Sequence, residues 1–182
     1  MTPSLSALPT HGLRHAGLTR RALLGRAVAA GATFMIGTGF VAGRDAAWAM
    51  ETTAVKAQTM AALIQMARDI YPHDRLGDRF YALAVKGYDT AETAPEIEAG
   101  VQLLDDTAKG QGLPGYLAAG WEEERVAVLK AIERTGFFGK IRGGLVTGLY
   151  NQKELWPLFG YEGESFSKGG YIDRGFNDID WL

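Results

Sequence analysis

Beyond residue 50 the apolar positions recur at close to the 3.6-residue helical period. Over 52–70 they fall at Val55, Met60, Leu63, Ile64, Met66, Ala67 and Ile70, with no Gly or Pro between them. This spacing predicts a helix, ended by Pro72 because the residue before a proline is pushed out of the helical region. Asp78 is placed to cap a second helix over 79–87, with Phe80, Leu83, Ala84 and Tyr88 turned inward. Thr93, Pro95 and Glu96 have the spacing of a capping box. They open a third helix to about Lys109, with Ile97, Val101, Leu103 and Leu104 on its apolar face. A Gly- and Pro-bearing stretch over 110–115 predicts a loop. A fourth helix is expected over 118–135, with Glu122, Glu123 and Glu124 in its early turns, where the helix dipole favours acids. Val126, Leu129, Ala131 and Ile132 should be buried and Gly136 should stop it. A fifth helix is expected over 137–151, interrupted by Gly139, Gly143, Gly144 and Gly148, which either admit a neighbouring backbone or cost stability.

From Trp156 the pattern changes. The last 27 residues hold seven aromatics, five glycines and one proline, and no helix or strand period survives there. No βαβ alternation, repeat or strand signal is found beyond residue 50. The expected fold is therefore all-α: a small helical domain of about five helices over 50–155, and an irregular, aromatic-rich C-terminal arm over 156–182.

The first 49 residues read differently. A basic, acid-free start leads into Thr19, Arg20, Arg21, Ala22, Leu23 and Leu24. An uncharged Ala- and Gly-rich run over 27–43 follows, and then Ala47-Trp48-Ala49 as a small-x-small cleavage site. These are the three parts of an export signal. The arginine pair ahead of the apolar run assigns it to the twin-arginine route, although Leu23 and Gly25 stand where Phe and Lys are common. A membrane anchor needs about 20 strongly apolar residues, and this run is shorter and broken by glycine. The expectation is a periplasmic protein, delivered folded by the twin-arginine translocase.

Composition narrows the functions open to it. Losing residues 1–49 removes five arginines and Asp45, so 19 basic and 21 acidic side chains become 14 and 20, with net charge −6. An acidic chain does not suit nucleic acid or an anionic membrane surface. Without cysteine it offers no thiolate nucleophile, attached haem or iron–sulfur ligand, and beyond residue 49 only His73 is left among its histidines. No catalytic, cofactor-binding or metal-binding set is therefore expected in this chain.

Three clusters bear on chemistry. Tyr71-Pro72-His73-Asp74 places a histidine beside an acid, as an oriented base requires. No nucleophile stands near it, so the favoured role is structural, with His73 and Asp74 capping the first helix and tying down the turn after Pro72. Asp173, Asp178 and Asp180 lack the alternating oxygen ligands and terminal Glu of a calcium loop. Trp156, Phe159, Tyr161, Phe166, Tyr171, Phe176 and Trp181, interleaved with Arg174, have the composition of interface anchors. Packing of the arm on the chain's own helices is the competing expectation.

After the leader, Ala67-Arg68-Asp69-Ile70-Tyr71-Pro72-His73-Asp74 and the terminal run with Gly160-Tyr161-Glu162-Gly163, Gly169-Gly170-Tyr171, Arg174-Gly175-Phe176 and Asp178-Ile179-Asp180-Trp181 resemble the gluconate 2-dehydrogenase subunit 3 family. The resemblance covers most of the chain beyond the leader and rests on its two ends. It implies a non-catalytic small subunit beside a large glucose-methanol-choline-type dehydrogenase that carries FAD and oxidises a sugar, sugar acid or other alcohol. A cytochrome c subunit commonly completes such complexes. The small subunit's implied task is to help the large one mature and to lend it the export signal. The rival expectations are a stand-alone periplasmic enzyme using His73, Asp74 and Arg75, and an independent periplasmic binding protein.

Overall fold

The computed structural model describes residues 28–30, 33–36, 40–43 and 49–174, with side-chain surroundings from Met50 to Arg174. The export motif Thr19, Arg20, Arg21, Leu23 and Leu24 lies outside the described residues, as do Ala47, Phe176, Asp178, Asp180 and Trp181. Short strands β1 (Val28–Ala30), β2 (Thr33–Ile36), β3 (Phe40–Gly43) and β4 (Ala49–Glu51) form an antiparallel sheet in that order, with Phe34 opposite Ala42. Three of them fall in the run read as the apolar part of the leader, and Ala49 opens the fourth. Val, Thr, Phe and Ile suit a pleated surface, and the glycines between them interrupt any helix. Among the described residues, the reading of no strands beyond residue 50 needs one correction: β4 crosses that boundary.

The rest is helical, as expected: α1 (Ala57–Ile70), α2 (Asp78–Val85), α3 (Ala94–Gly110), α4 (Glu122–Ile132) and α5 (Gly136–Tyr150). Shorter 3₁₀ turns lie at Lys86–Tyr88, Lys153–Phe159 and Phe166–Lys168. α1 is the central element. Strands β1–β3 and all the other helices pack on it, and Met60, Ala61, Leu63, Met66 and Ala67 are fully buried. A helix apolar on nearly all sides belongs in such a position.

Several boundaries differ from expectation, each for a tertiary reason. α1 begins at Ala57 because distant carboxylates take the preceding amides. Asp89 accepts from the backbone N–H groups of Thr53, Ala54 and Val55 at 2.8, 2.8 and 2.9 Å. Glu98 accepts from the Lys56 N–H at 2.7 Å. Asp78 is the first residue of α2 and Gly77 its N-cap. The Asp78 carboxylate instead holds Arg68, whose Nε donates to it at 2.8 Å. That bond rotates α2, so Tyr81, Ala82 and Val85 point inward while Leu83 is exposed. Thr93 makes no side-chain cap; its hydroxyl donates to the Tyr88 carbonyl at 2.7 Å, and Glu96 pairs with Lys140. In α3, Leu103 faces outward and Gly100 and Ala108 complete the buried stripe. α4 is shorter than expected and Ala131 is exposed. Gly136 opens α5 rather than stopping α4, because Thr135 turns to cap the new helix and accepts from the Phe138 N–H.

Of the α5 glycines, Gly148 admits a neighbouring backbone, whereas Gly139 and Gly143 face open space and Gly144 faces the Tyr88 side chain. A Cβ at Gly148 would lie 2.8 Å from the Ala84 carbonyl oxygen, so the absence of a side chain permits the close crossing of α2 and α5.

One polar cluster sits inside the core. Asp69 on α1 is buried, and its Oδ2 accepts from the Tyr116 hydroxyl at 2.6 Å and from Arg125 Nε at 2.7 Å. Its Oδ1 accepts from Gln65 at 2.9 Å and from Arg125 Nη2 at 3.3 Å. α1, the loop before α4 and α4 itself are thereby locked together, and every lone pair that burial removes from water is met. Burial, and then the Asp69 carboxylate, raise the Tyr116 hydroxyl well above its ordinary pKa, so it remains a donor.

Candidate partner-binding site

The arm leaves the helical body through a buried anchor. Leu155 in the 3₁₀ turn is fully buried, a contribution of about 2 kcal/mol. Gln152 fastens the approach by donating to the carbonyls of Phe80 and Gly148 at 2.9 and 2.8 Å. Trp156 is half-buried, and its indole Nε1 donates to the Tyr150 carbonyl at 2.9 Å. Gly160, at φ 73°, ends the turn in the left-handed region that glycine reaches without strain. The chain then folds back, and the Tyr161 N–H donates to the Trp156 carbonyl at 2.9 Å.

Two distant motifs meet at this point. His73 Nε2 and the Tyr150 hydroxyl are joined at 2.8 Å. The His73 ring also stands edge-on to Tyr150 and Phe159, with centroids 5.7 and 5.2 Å away, and Tyr71 packs against Tyr150 at 5.8 Å. Burial, and then the neighbouring Tyr71, raise the Tyr150 hydroxyl above its ordinary pKa. The expectation that His73 and Asp74 cap α1 is corrected here: Tyr71 is the C-cap, and the His73 side chain reaches α5. Among the described residues no hydrogen bond joins Asp74 to His73; Asp74 and Pro72 are exposed at the rim of a small cleft shared with Leu158 and Phe159. The histidine–acid pairing of an oriented base is therefore not assembled.

Beside this contact a groove of about 660 Å³ runs between α5 and the arm. Val146, Tyr150, Trp156, Phe159, Tyr161 and Glu164 line it. Its rings form two pairs: Trp156 and Tyr161 edge-to-face at 5.2 Å, and Tyr150 with Phe159 tilted at 5.6 Å. Glu164 accepts from Lys153 Nζ at 3.1 Å, and that ammonium also stands 5.4 Å from the Trp156 ring centroid. A hydrogen bond from its own backbone N–H, and then the Lys153 bond, hold the Glu164 carboxyl below its usual range, so it is ionised near neutral pH.

Past the groove the arm turns its side chains outward. Phe166, Ile172 and Tyr171 are 95%, 86% and 80% exposed, while Arg174 is tied back to Glu162 at 2.7 Å. The expectation of an arm that packs on and covers the chain's own helices thus fits Trp156 but not Phe166, Tyr171 and Ile172. Sequence reasoning missed Tyr150, Val146, Glu164 and Ile172. Tyr150 and Val146 sit within an ordinary helical pattern, and only the arm's fold-back brings Glu164 to them. Among the described residues, no cluster of three or more His, Cys, Asp or Glu could hold a metal ion, and no helix is long and apolar enough to cross a membrane. No family model, curated protein or solved structure matches the chain.

Proposed function

We propose that the chain is a non-catalytic small subunit of a periplasmic flavin-dependent dehydrogenase complex that oxidises a sugar, sugar acid or other alcohol. It assists maturation of the FAD-carrying large subunit and guides its export by the twin-arginine route. The observation that carries the reading is the arm. Its root is pinned by Leu155 and Trp156, whereas Phe166, Tyr171 and Ile172 stand in solvent. Large apolar side chains held outward on an anchored segment suit burial against another protein. The class of partner comes from the resemblance of the Asp69–Asp74 and Trp156–Trp181 segments. The leader supports the same reading: a flavin bound without a covalent link is inserted in the cytoplasm, so its carrier crosses folded, and twin arginines mark that path.

Co-expression of the large subunit with and without this chain tests the proposal. Periplasmic dehydrogenase activity should fall to background when the chain is omitted or when Arg20 and Arg21 are both replaced by Lys. Undiminished export of active enzyme without the chain refutes it.

A further inference from the structure

The groove between α5 and the arm has a chemistry more specific than apolar burial. Four aromatic rings line it, and among its described lining residues the charged one is Glu164. Aromatic faces carry the negative end of the ring quadrupole, so a ring-lined groove with a carboxylate at its edge favours a cation that brings an apolar body. The molecule shows the attraction internally: the Lys153 ammonium is shared between the Glu164 carboxylate at 3.1 Å and the Trp156 ring at 5.4 Å. Lys153 remains largely exposed, so this internal pair is weak and displaceable.

We infer that this groove is the seat of an arginine side chain carried on an apolar segment of the partner protein. A planar guanidinium can stack on one ring while donating two parallel hydrogen bonds to a carboxylate, which the compact ammonium of lysine cannot do. The charge balance agrees, since beyond residue 49 the chain is acidic by six charges and favours a cationic counterpart. Tyr161 and Phe159, both exposed at the groove's mouth, supply the apolar rim that excludes water around the ion pair. Lys153 is then the resident cation that the incoming arginine displaces. The inference rests on reading the arm as a partner surface, but it concerns this groove alone.

The test is a titration of the full chain with the blocked peptides Leu-Arg-Leu, Leu-citrulline-Leu and Leu-Lys-Leu, followed by the amide and indole NMR resonances of Trp156, Tyr161 and Glu164. Citrulline keeps the shape of arginine and removes its charge. The arginine peptide should bind saturably at these residues, about tenfold more tightly than the citrulline peptide and several-fold more tightly than the lysine peptide. Glu164→Gln should weaken arginine binding about tenfold. Lys153→Gln should tighten it about threefold by removing the competitor, an increase that general loss of structure cannot produce. Equal affinity for arginine and citrulline, shifts confined to other surfaces, or no saturable binding overturns the inference. If the peptides fail while co-expression still shows carrier-dependent export, only the groove's assignment falls. If they bind while export is independent of the chain, the proposed function falls instead.

Discussion

The buried Asp69–Arg125 pair allows the packing account to be tested quantitatively. The Asp69 side chain is 2% exposed and that of Arg125 14%, and their closest contact is 2.7 Å. Arg125→Met leaves a carboxylate in the core that retains bonds from Tyr116 and Gln65 but has no countercharge. Removing one partner of a buried pair costs about 3–5 kcal/mol, and the lower end applies here because two hydrogen bonds survive. Asp69→Leu strands the guanidinium, which retains the Ala119 carbonyl as acceptor at 3.3 Å, and should cost a similar amount. The double variant removes both charges from a site that apolar side chains can fill. With Tyr116→Phe added, so that no hydroxyl is left unmet, it should lie within about 1–2 kcal/mol of wild type. Singles of about 3 kcal/mol each would sum to about 6 kcal/mol, so the near-neutral combined variant implies a coupling of about 4–5 kcal/mol within this cluster. Urea denaturation followed by circular dichroism measures each corner of the cycle, and each single change should lower the melting temperature by about 10 °C. Single variants within about 0.5 kcal/mol of wild type, or strictly additive effects, would refute the view that this cluster locks α1 to α4.

Other predictions follow from particular contacts. Gly148→Ala should destabilise by about 1–3 kcal/mol by forcing α2 away from α5, whereas Gly143→Ala, with open space around its Cβ position, should stabilise by about 0.5–1 kcal/mol; paired thermal melts compare them. Partial burial disfavours the Asp89 and Glu98 carboxylates, but the backbone N–H groups of residues 53–55 and of Lys56, with the Thr53, Thr59 and Lys56 side chains, more than offset it and lower both pKa values. A lowered native pKa gives stability that is full above the ordinary carboxylate range, about pH 4, and is lost as pH falls through the native values. Wild type should therefore lose stability below about pH 4 more steeply than Asp89→Asn, as urea midpoints measured across pH will show. Truncation after Gly160 retains Leu155, Trp156 and the Tyr150 contact, so helical circular dichroism should persist while complex formation with the large subunit is lost.

The helical body was legible because its signals are local. α1, α3 and α5 lie close to their periodic patterns, and Val55, Met60, Leu63 and Ile97 are buried as their spacing implies. The misplaced boundaries have long-range causes. Nothing within a few residues of Thr53 announces that Asp89 will take three of the amides there, and nothing in α2 announces that Arg68 will turn it through Asp78. Asp69 stood within the motif that carried the resemblance, but its partners Tyr116 and Arg125 lie 47 and 56 residues away. The arm shows the same division. Its aromatic composition left a partner surface and packing on the chain's own helices both open, while the groove exists only because Gly160 reverses the chain and returns Tyr161 and Glu164 to the end of α5.

The most direct measurement is affinity purification of the tagged full-length chain from the periplasm, read by flavin absorbance and by dehydrogenase turnover with sugars, sugar acids and alcohols. The expected result is a stoichiometric complex in which flavin and turnover travel with the tag and are lost on truncation after Gly160. A tagged chain recovered from the periplasm as a stable monomer, free of flavoprotein and of dehydrogenase activity, would contradict it.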